Sequence, residues 1–497
     1  MRQNTAMEIT KKIPRIMIAA PKSASGKTTA VCAIIAALCR KNLEIAAFKC
    51  GPDFIDPMFH RAFGAESANL DAFFLPENRL KSLFCHYASQ KTAIIEAAMG
   101  FYDGSSSNDE KHSAYEISRA LKCPVILTVD AAKAGRSILA EIAGFLHWKS
   151  DSAIAGVILN NIAASRAMEL KAAIESELGI KMLGFLEKDA RFSLESRHLG
   201  LAVPESVGDL NEKIDLLAKT AQKNFDLDEI LKIARSAEEI SVLDEPFFPD
   251  FLQNFAKNNA QKKRVKIAVA KDEAFCFYYR ENLDLFSSLG AEIAEFSPLK
   301  DKKIPDGTDA LYLGGGYPEL FPSELFENDS MCLSVRNSVR GGLPTLAECG
   351  GFLYLQALGA LSGTFQNTKK LCRFGYVELE AEKDTLLCSA GEKIKAHEFH
   401  YFDTTANGDS CSAKKPSGKK WQCVVSSPFD ETPSLPPFSQ TLNVWAGFPH
   451  LYFPSNPDFA RNFVCAAEKF QKLRLIIRSK CDVCPKKRRQ KGESDGK

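Results

Sequence analysis

The chain has 497 residues, a length that favours two or more domains. Its composition, 45% hydrophobic and 25% charged with a formal net charge of +2, is that of a globular protein and makes no electrostatic case for a nucleic acid or a membrane surface as partner. No apolar run reaches the roughly 18 residues of a spanning helix, and residues 1–12 lack the apolar centre of a signal peptide.

From residue 13 to about 205, short apolar strands alternate with helices. Candidate strands are Ile16–Ala20, Ile45–Phe48, Ala93–Glu96, Val125–Asp130 and Ile154–Asn160. Such runs, separated by helices, predict an α/β domain with a parallel sheet covered on both faces. The first strand runs into Pro21-Lys22-Ser23-Ala24-Ser25-Gly26-Lys27-Thr28-Thr29 and then a helix. The Gly-Lys-Thr centre is that of a phosphate loop, although Pro21 stands where the eight-residue pattern has its first glycine. Backbone N–H groups along Ser25, Gly26, Lys27, Thr28 and Thr29 would cradle phosphates. Lys27 would reach the β/γ oxygens, and the Thr28 hydroxyl would take Mg²⁺.

The second strand leads into Gly51-Pro52-Asp53-Phe54-Ile55-Asp56-Pro57. The third ends in Glu96 and is followed by Met99-Gly100-Phe101-Tyr102-Asp103-Gly104. Carboxylates at the carboxyl ends of neighbouring parallel strands converge on a ligand crevice, and Mg²⁺ takes one or two of them besides water and phosphate oxygens. Asp53 and Glu96 are the first metal candidates, with Asp56 and Asp103 next for the same site. The competing reading is that some of the four cap helices or turns. Asn160, at a strand end, either reads an adenine edge with its amide or caps a turn.

Residues 207–237 read as two helices. Residues 238–264 mix Pro, Asn, Lys and acidic residues, and the domain linker belongs there. A second α/β unit follows, with strands at Val265–Ala270, Asp309–Leu313, Pro344–Glu348, Phe374–Leu379 and His397–Tyr401. Cys349, in Leu346-Ala347-Glu348-Cys349-Gly350-Gly351, sits on a strand-to-helix turn. There a thiolate would feel the positive end of the helix dipole, and an N–H at Gly350 would be free to face an anion. The Gly314-Gly315-Gly316 run can bring further N–H groups to an oxyanion, with Gly315 and Gly316 the candidates.

His450, about 100 residues after the cysteine, is the first choice of base, with His397 and His400 as competitors. Metal binding by His397 and His400 on a shared strand face lacks a third ligand. Residues 404–440, rich in Ser, Thr, Pro, Lys and Gly, read as an exposed insertion. Residues 478–497 read as a charged, disordered tail. Cys481 and Cys484 form a lone C-x-x-C, too little for a zinc site. The fifteen cysteines are scattered, and Cys32, Cys39, Cys276 and Cys332 fall in apolar segments. Reduced thiols and a cytoplasmic protein are expected.

Together these motifs resemble the cobyrinate a,c-diamide synthase family. Asn69-Leu70-Asp71, Arg197-His198-Leu199-Gly200-Leu201 and Asp272-Glu273-Ala274-Phe275-Cys276-Phe277-Tyr278-Tyr279 add to the likeness. It covers roughly residues 14–205 and 265–460. The resemblance implies an ATP- and tetrapyrrole-binding synthetase domain of the dethiobiotin-synthetase type over 13–237. It also implies a class I glutaminase-like domain over 265–470. ATP with Mg²⁺ would activate the a and c carboxylates of a tetrapyrrole, and ammonia from L-glutamine would form the amides. Lys22 and Ala24 depart from the small residues of the family's phosphate loop. Tyr452 replaces the second histidine of its His-Leu-His motif.

Hydrogenobyrinate and Ni-sirohydrochlorin compete with cobyrinate as substrate, and cobyric acid synthesis is a further reading. A regulatory ATPase of the partition type would leave Cys349 and His450 idle, and a stand-alone glutaminase would leave the phosphate loop idle. Assembly into a homo-oligomer stays open.

Overall fold

A computed structural model describes residues 7–106, 108–192, 194, 203–204, 207–248, 264–430 and 442–483, with side chains through 476. The chain divides into two compact units. The first is Met1–Pro249 with Tyr279–Glu281, and the second is Asp250–Tyr278 with Asn282–Lys497.

The first unit is a seven-stranded, all-parallel sheet. Its strands stand in the order Glu66–Leu70, Ile45–Cys50, Thr92–Glu96, Arg15–Ala19, Val125–Asp130, Ile154–Asn160 and Lys181–Phe185. Arg15–Ala19 and Ile45–Cys50 are buried at every position, as strands covered on both faces must be. The helix Lys27–Cys39 is apolar on all sides and buries ten of its residues. It lies against the sheet and the helix Leu210–Asn224. Because the strands are parallel, the residues that follow Ala19, Cys50, Glu96 and Asn160 share one edge of the sheet.

Two strands here escape the apolar pattern. Glu66–Leu70 carries Ser67 and Asn69, both buried through hydrogen bonds, and the apolar run of Lys181–Phe185 is broken by Gly184. Within the expected linker, Ile240–Leu243 is an antiparallel strand paired with Glu8–Lys11. Residues 249–263 of that segment lie outside the described residues.

The second unit holds a six-stranded sheet in the order Glu292–Phe296, Lys266–Ala270, Ala310–Leu313, Thr345–Glu348, Val444–Gly447 and Val425–Ser426. The first five strands are parallel and the last is antiparallel. An antiparallel sheet of five strands joins Lys420–Cys423, Cys411–Lys414, Arg373–Ala381, Lys393–His400 and His450–Leu451.

The exposed reading of residues 404–440 holds for the turn 416–419 but gives way at the strands on either side, which belong to this sheet. Cys411 and Ala413 turn inward while Ser412 and Lys414 turn outward, a two-residue period that buries one face. The disordered tail gives way at its start, because the helix Pro457–Val483 runs through residues 478–483. Cys484, the rest of the tail and the Arg197–Leu201 motif lie outside the described residues. Among the described residues, thirteen cysteines are free, and no helix is long and apolar enough to cross a membrane.

Candidate functional site

In the first unit the phosphate loop is held in a bent path. Ala24 and Gly26 both have positive φ, 61° and 90°. Only Gly26 lacks room for a side chain, because a Cβ there would stand 2.1 Å from Asn160 Nδ2. Asn160 Nδ2 donates to the Ser25 carbonyl at 3.1 Å, and Ser25 Oγ donates to the Lys22 carbonyl at 3.0 Å. Asn160 thus braces the loop from the end of its own strand. Lys27 Nζ donates to the carbonyls of Met99 and Lys22, at 2.5 and 3.3 Å. Burial, with Lys49 nearby, lowers its pKa to about 8.

Glu96 is the hub of this end. Its Oε1 accepts from the Thr28 hydroxyl at 2.6 Å and from Lys49 Nζ at 3.0 Å, and its Oε2 meets His60 Nε2 at 2.7 Å. Lys49 also pairs with Asp56 at 2.5 Å, and Thr28 Oγ1 lies 3.3 Å from Asp56 Oδ1. Burial alone would raise the Glu96 pKa, but Lys49, His60 and Thr28 hold it well below the usual carboxylate range. Burial and Glu96 push Asp56 the other way, upward. Burial would neutralise Lys49, yet Asp56 and Glu96 keep it charged. One lysine thus stands between two carboxyl groups beside Thr28, holding Glu96 ionised while Asp56 is pushed toward its neutral form. That corner gathers oxygen donors from Thr28, Asp56 and Glu96, with Asp53 lining the same cleft; among the described residues no three acidic, histidine or cysteine side chains form a metal cage, so Mg²⁺ there would need phosphate and water oxygens as well.

These residues line a cleft of about 740 Å³, together with Thr29, Asn160 and Asn161. Asp53 has a second duty, since its Oδ1 accepts from the N–H groups of Ile55 and Asp56, at 2.8 and 3.1 Å, and starts the helix Ile55–Ala62. Asp103 does not line the cleft. Its carboxylate accepts from the Gly100 N–H at 2.8 Å and staples the turn after Glu96, which is the capping alternative for that residue. Lys49 and His60 were not singled out from the sequence. A lysine inside the otherwise apolar strand Ile45–Cys50 was the available signal.

In the second unit, Cys349 has φ 48° and ψ −105°, a strained position for a residue with a side chain. The strand Thr345–Glu348 ends there and the helix Gly350–Ala357 begins. The Cys349 N–H donates to the Gly447 carbonyl at 2.8 Å, and the Gly351 N–H to the Gly314 carbonyl at 3.0 Å. The Gly350 N–H faces the sulfur. A Cβ on Gly350 would meet Pro318 at 2.8 Å and the Gly316 nitrogen at 3.5 Å. A Cβ on Gly315 would stand 2.3 Å from the His450 ring. The glycine run, the cysteine turn and His450 therefore occupy one place, and glycine is needed for each approach.

His450 is buried, and burial together with His397 and His400 lowers its pKa to about 3, so the ring is neutral. Glu348, the residue before the cysteine, lies 3.9 Å from His450 Nδ1. It accepts from Tyr312 Oη at 2.9 Å and from the Leu451 N–H at 3.0 Å. Burial raises its pKa to about 8. Glu348 thus faces His450 from the strand side, whereas Tyr452 is a buried residue whose N–H donates to Lys395. Glu348 was legible only as part of the cysteine motif, not as a partner of the histidine.

The helix start favours the Cys349 thiolate through the Gly350 N–H, as expected, but burial and Glu319 outweigh it and push the thiol's pKa up to about 12. His397 and His400, three residues apart on Lys393–His400, point to opposite faces, so they share no metal site there. His397 pairs in register with His450.

Comparisons with known proteins cover both units. Residues 16–201 match the family described as the CobQ/CobB/MinD/ParA nucleotide binding domain. Residues 266–457 match the CobB/CobQ-like glutamine amidotransferase domain. The cobyrinate a,c-diamide synthase of Clostridium acetobutylicum is 37% identical over 464 residues, 90% of this chain and 99% of that protein. Those of Clostridium tetani and Picrophilus torridus are 40% and 35% identical, over 78% and 91% of this chain and 86% and 98% of theirs. With a nucleotide cleft in one unit and a cysteine–histidine site in the other, the chain belongs to the cobyrinate a,c-diamide synthase family of ATP-dependent, glutamine-using amide ligases.

Proposed function

We propose that the chain converts the a and c carboxylates of cobyrinate into amides in the cytoplasm. A substrate carboxylate oxygen attacks the γ-phosphorus of ATP in the first-unit cleft, and ADP leaves. The acyl phosphate so formed loses inorganic phosphate when ammonia attacks its carbonyl carbon. Lys27 and the loop N–H groups hold the phosphates, and Asn160 keeps the loop in place. Bound Mg²⁺ would neutralise phosphate charge, held by Thr28 and the carboxylates of Asp53, Asp56 and Glu96.

Ammonia comes from glutamine. His450 takes the Cys349 proton as sulfur attacks the side-chain amide carbon, and passes it to the departing ammonia. Neutral His450 suits this task because the thiol is protonated at rest. N–H groups of Gly350 and Gly316 face the developing oxyanion. Water then cleaves the thioester and glutamate leaves. Glu348 backs the imidazole while it carries charge.

The observation that supports this reading is that a phosphate-loop cleft and a cysteine turn with a nearby histidine stand in one chain. The test is ATP-dependent turnover with glutamine, offering cobyrinate, hydrogenobyrinate and Ni-sirohydrochlorin separately and weighing the products. Two successive losses of about one mass unit on cobyrinate alone are expected, as carboxyl becomes amide twice. Turnover of either rival compound alone would reassign the substrate and leave the site chemistry standing.

A further inference from the structure

The strand Lys393–His400 carries a carboxylate that the reaction above does not use. Glu398 is fully buried, and neither of its oxygens meets a hydrogen-bond donor among the described residues. A buried carboxylate left this way is costly unless something else arrives to pair with it. In register, Gly375 stands opposite Glu398 and Arg373 opposite His400, so Arg373, Glu398 and His400 share the inner face of the five-stranded sheet. Arg373 stacks over the Trp421 ring at 5.0 Å, and its buried Nη1 meets no acceptor among the described residues. Burial pushes the Glu398 pKa up to about 7, and Arg373 and the Trp421 indole only partly offset this, since neither closes a hydrogen bond or ion pair with it.

This face adjoins the nucleophile. His400 Nε2 lies 4.0 Å from Glu398 Oε2, and its ring stacks on Phe448 at 3.8 Å. Phe448 follows Gly447, whose carbonyl holds the Cys349 N–H. Glu398 is also close enough to Cys349 to oppose its ionisation. A carboxyl group with both oxygens short of a hydrogen-bond donor and a guanidinium with an unmet Nη1 therefore share a sheet face, and the carboxyl group stands near the thiol that attacks an amide.

We infer that Glu398 and Arg373 form the seat for the head of the amino-acid donor, Glu398 taking its α-ammonium and Arg373 its α-carboxylate. The side-chain amide is thereby aimed at Cys349. A zwitterion supplies both missing partners at once, and a neutral amide or free ammonia supplies neither. His400, stacked on Phe448 and hydrogen-bonded through Nδ1 to the Phe402 carbonyl, holds the strand end beside them. This deepens the glutaminase reading of Cys349 and rests on it.

The test uses the full chain with three nitrogen donors: L-glutamine, glutaramate, which lacks the α-ammonium, and ammonia. The wild type should prefer L-glutamine to glutaramate. Glu398→Gln should raise KM for L-glutamine roughly tenfold to hundredfold, the worth of one charged hydrogen bond. It should leave turnover of glutaramate and ammonia-supported amidation unchanged, so the preference collapses. Arg373→Gln should do the same when 4-aminobutanamide, which lacks the α-carboxylate, replaces glutaramate.

An unchanged KM for L-glutamine in Glu398→Gln, or equal losses with glutamine and glutaramate, overturns the proposal. Should Glu398→Gln also lose ammonia-supported amidation, the fold is damaged and Arg373→Gln decides, an unchanged KM there being fatal. The underlying glutaminase reading fails separately, if Cys349→Ala still releases glutamate from glutamine.

Discussion

Glu348 is buried deeply enough to act as a proton switch as well as a hydrogen-bond acceptor. Its folded pKa, about 8, lies above the ordinary 4.5 because burial penalises its charge. A carboxyl raised in this way is harmless to stability below its unfolded pKa. Stability is then lost as pH rises from about 4.5 through about 8. The full loss is on the order of 3–5 kcal/mol. Glu348→Gln keeps an acceptor for the Leu451 N–H and cannot ionise. Its melting temperature, relative to wild type, should climb between pH 5 and pH 8 and level off above. A difference that stays flat across that range would show that Glu348 is not held protonated by its surroundings. The same variant should lower glutamine-supported kcat at pH 8.5, where the wild-type carboxylate can back an imidazolium, and leave ammonia-supported amidation alone.

The two glycine loops do opposite jobs with the same device, a missing Cβ. At Gly26 an added methyl would collide with Asn160 and would also occupy a left-handed φ of 90°. Gly26→Ala should therefore abolish amide formation with either glutamine or ammonia, while glutamate release from glutamine continues. At Gly315 an added methyl would push the His450 ring from 2.3 Å away. Gly315→Ala should cut glutamine-supported amidation by a hundredfold or so, the usual scale for displacing a general base, and spare the ammonia-supported rate. Parallel assays with both nitrogen donors separate the outcomes, and the same loss pattern in both variants would contradict the assignment of the loops.

How far the elements were legible follows from where their stabilising partners lie. Val125–Asp130 and Ile154–Asn160 have the bounds that their near-continuous apolar runs predict, because burial on both faces writes itself into the sequence. Glu66–Leu70 was invisible because Ser67 and Asn69 are buried through bonds to His60 and to the carbonyls of Gly51 and Asp53. Such partners are remote in sequence and leave no periodic mark. Cys411–Lys414 has only two inward residues, too few to outweigh the Ser, Lys and Gly around it. In the site, the phosphate loop and the cysteine turn were legible because each is a local backbone shape. Lys49, His60 and Glu348 were not, since each matters only through a side chain brought to it by another strand.

At the scale of the whole molecule, the proposed function assigns one site to each unit, and the nitrogen donor decides which of them a reaction needs. With ammonia supplied, only the first unit's chemistry is required, whereas glutamine demands both. Cys349→Ala removes the sulfur but no charge and little volume, so it should abolish glutamine-supported amidation and leave the ammonia-supported rate within about twofold, the scatter of a neutral substitution. Thr28→Ala removes the hydroxyl that Glu96 and Asp56 share. It should depress amidation from either donor by about a hundredfold or more, as loss of a phosphate- and metal-positioning group does, while glutamate release from glutamine persists. The two variants then fail in complementary ways, and mixing them should not restore glutamine-supported amidation unless ammonia passes through solution. A Cys349→Ala protein that also lost ammonia-supported turnover would mean that the thiol supports the fold rather than the chemistry. A Thr28→Ala protein that lost glutamate release would mean that the glutaminase runs only when the nucleotide cleft is engaged.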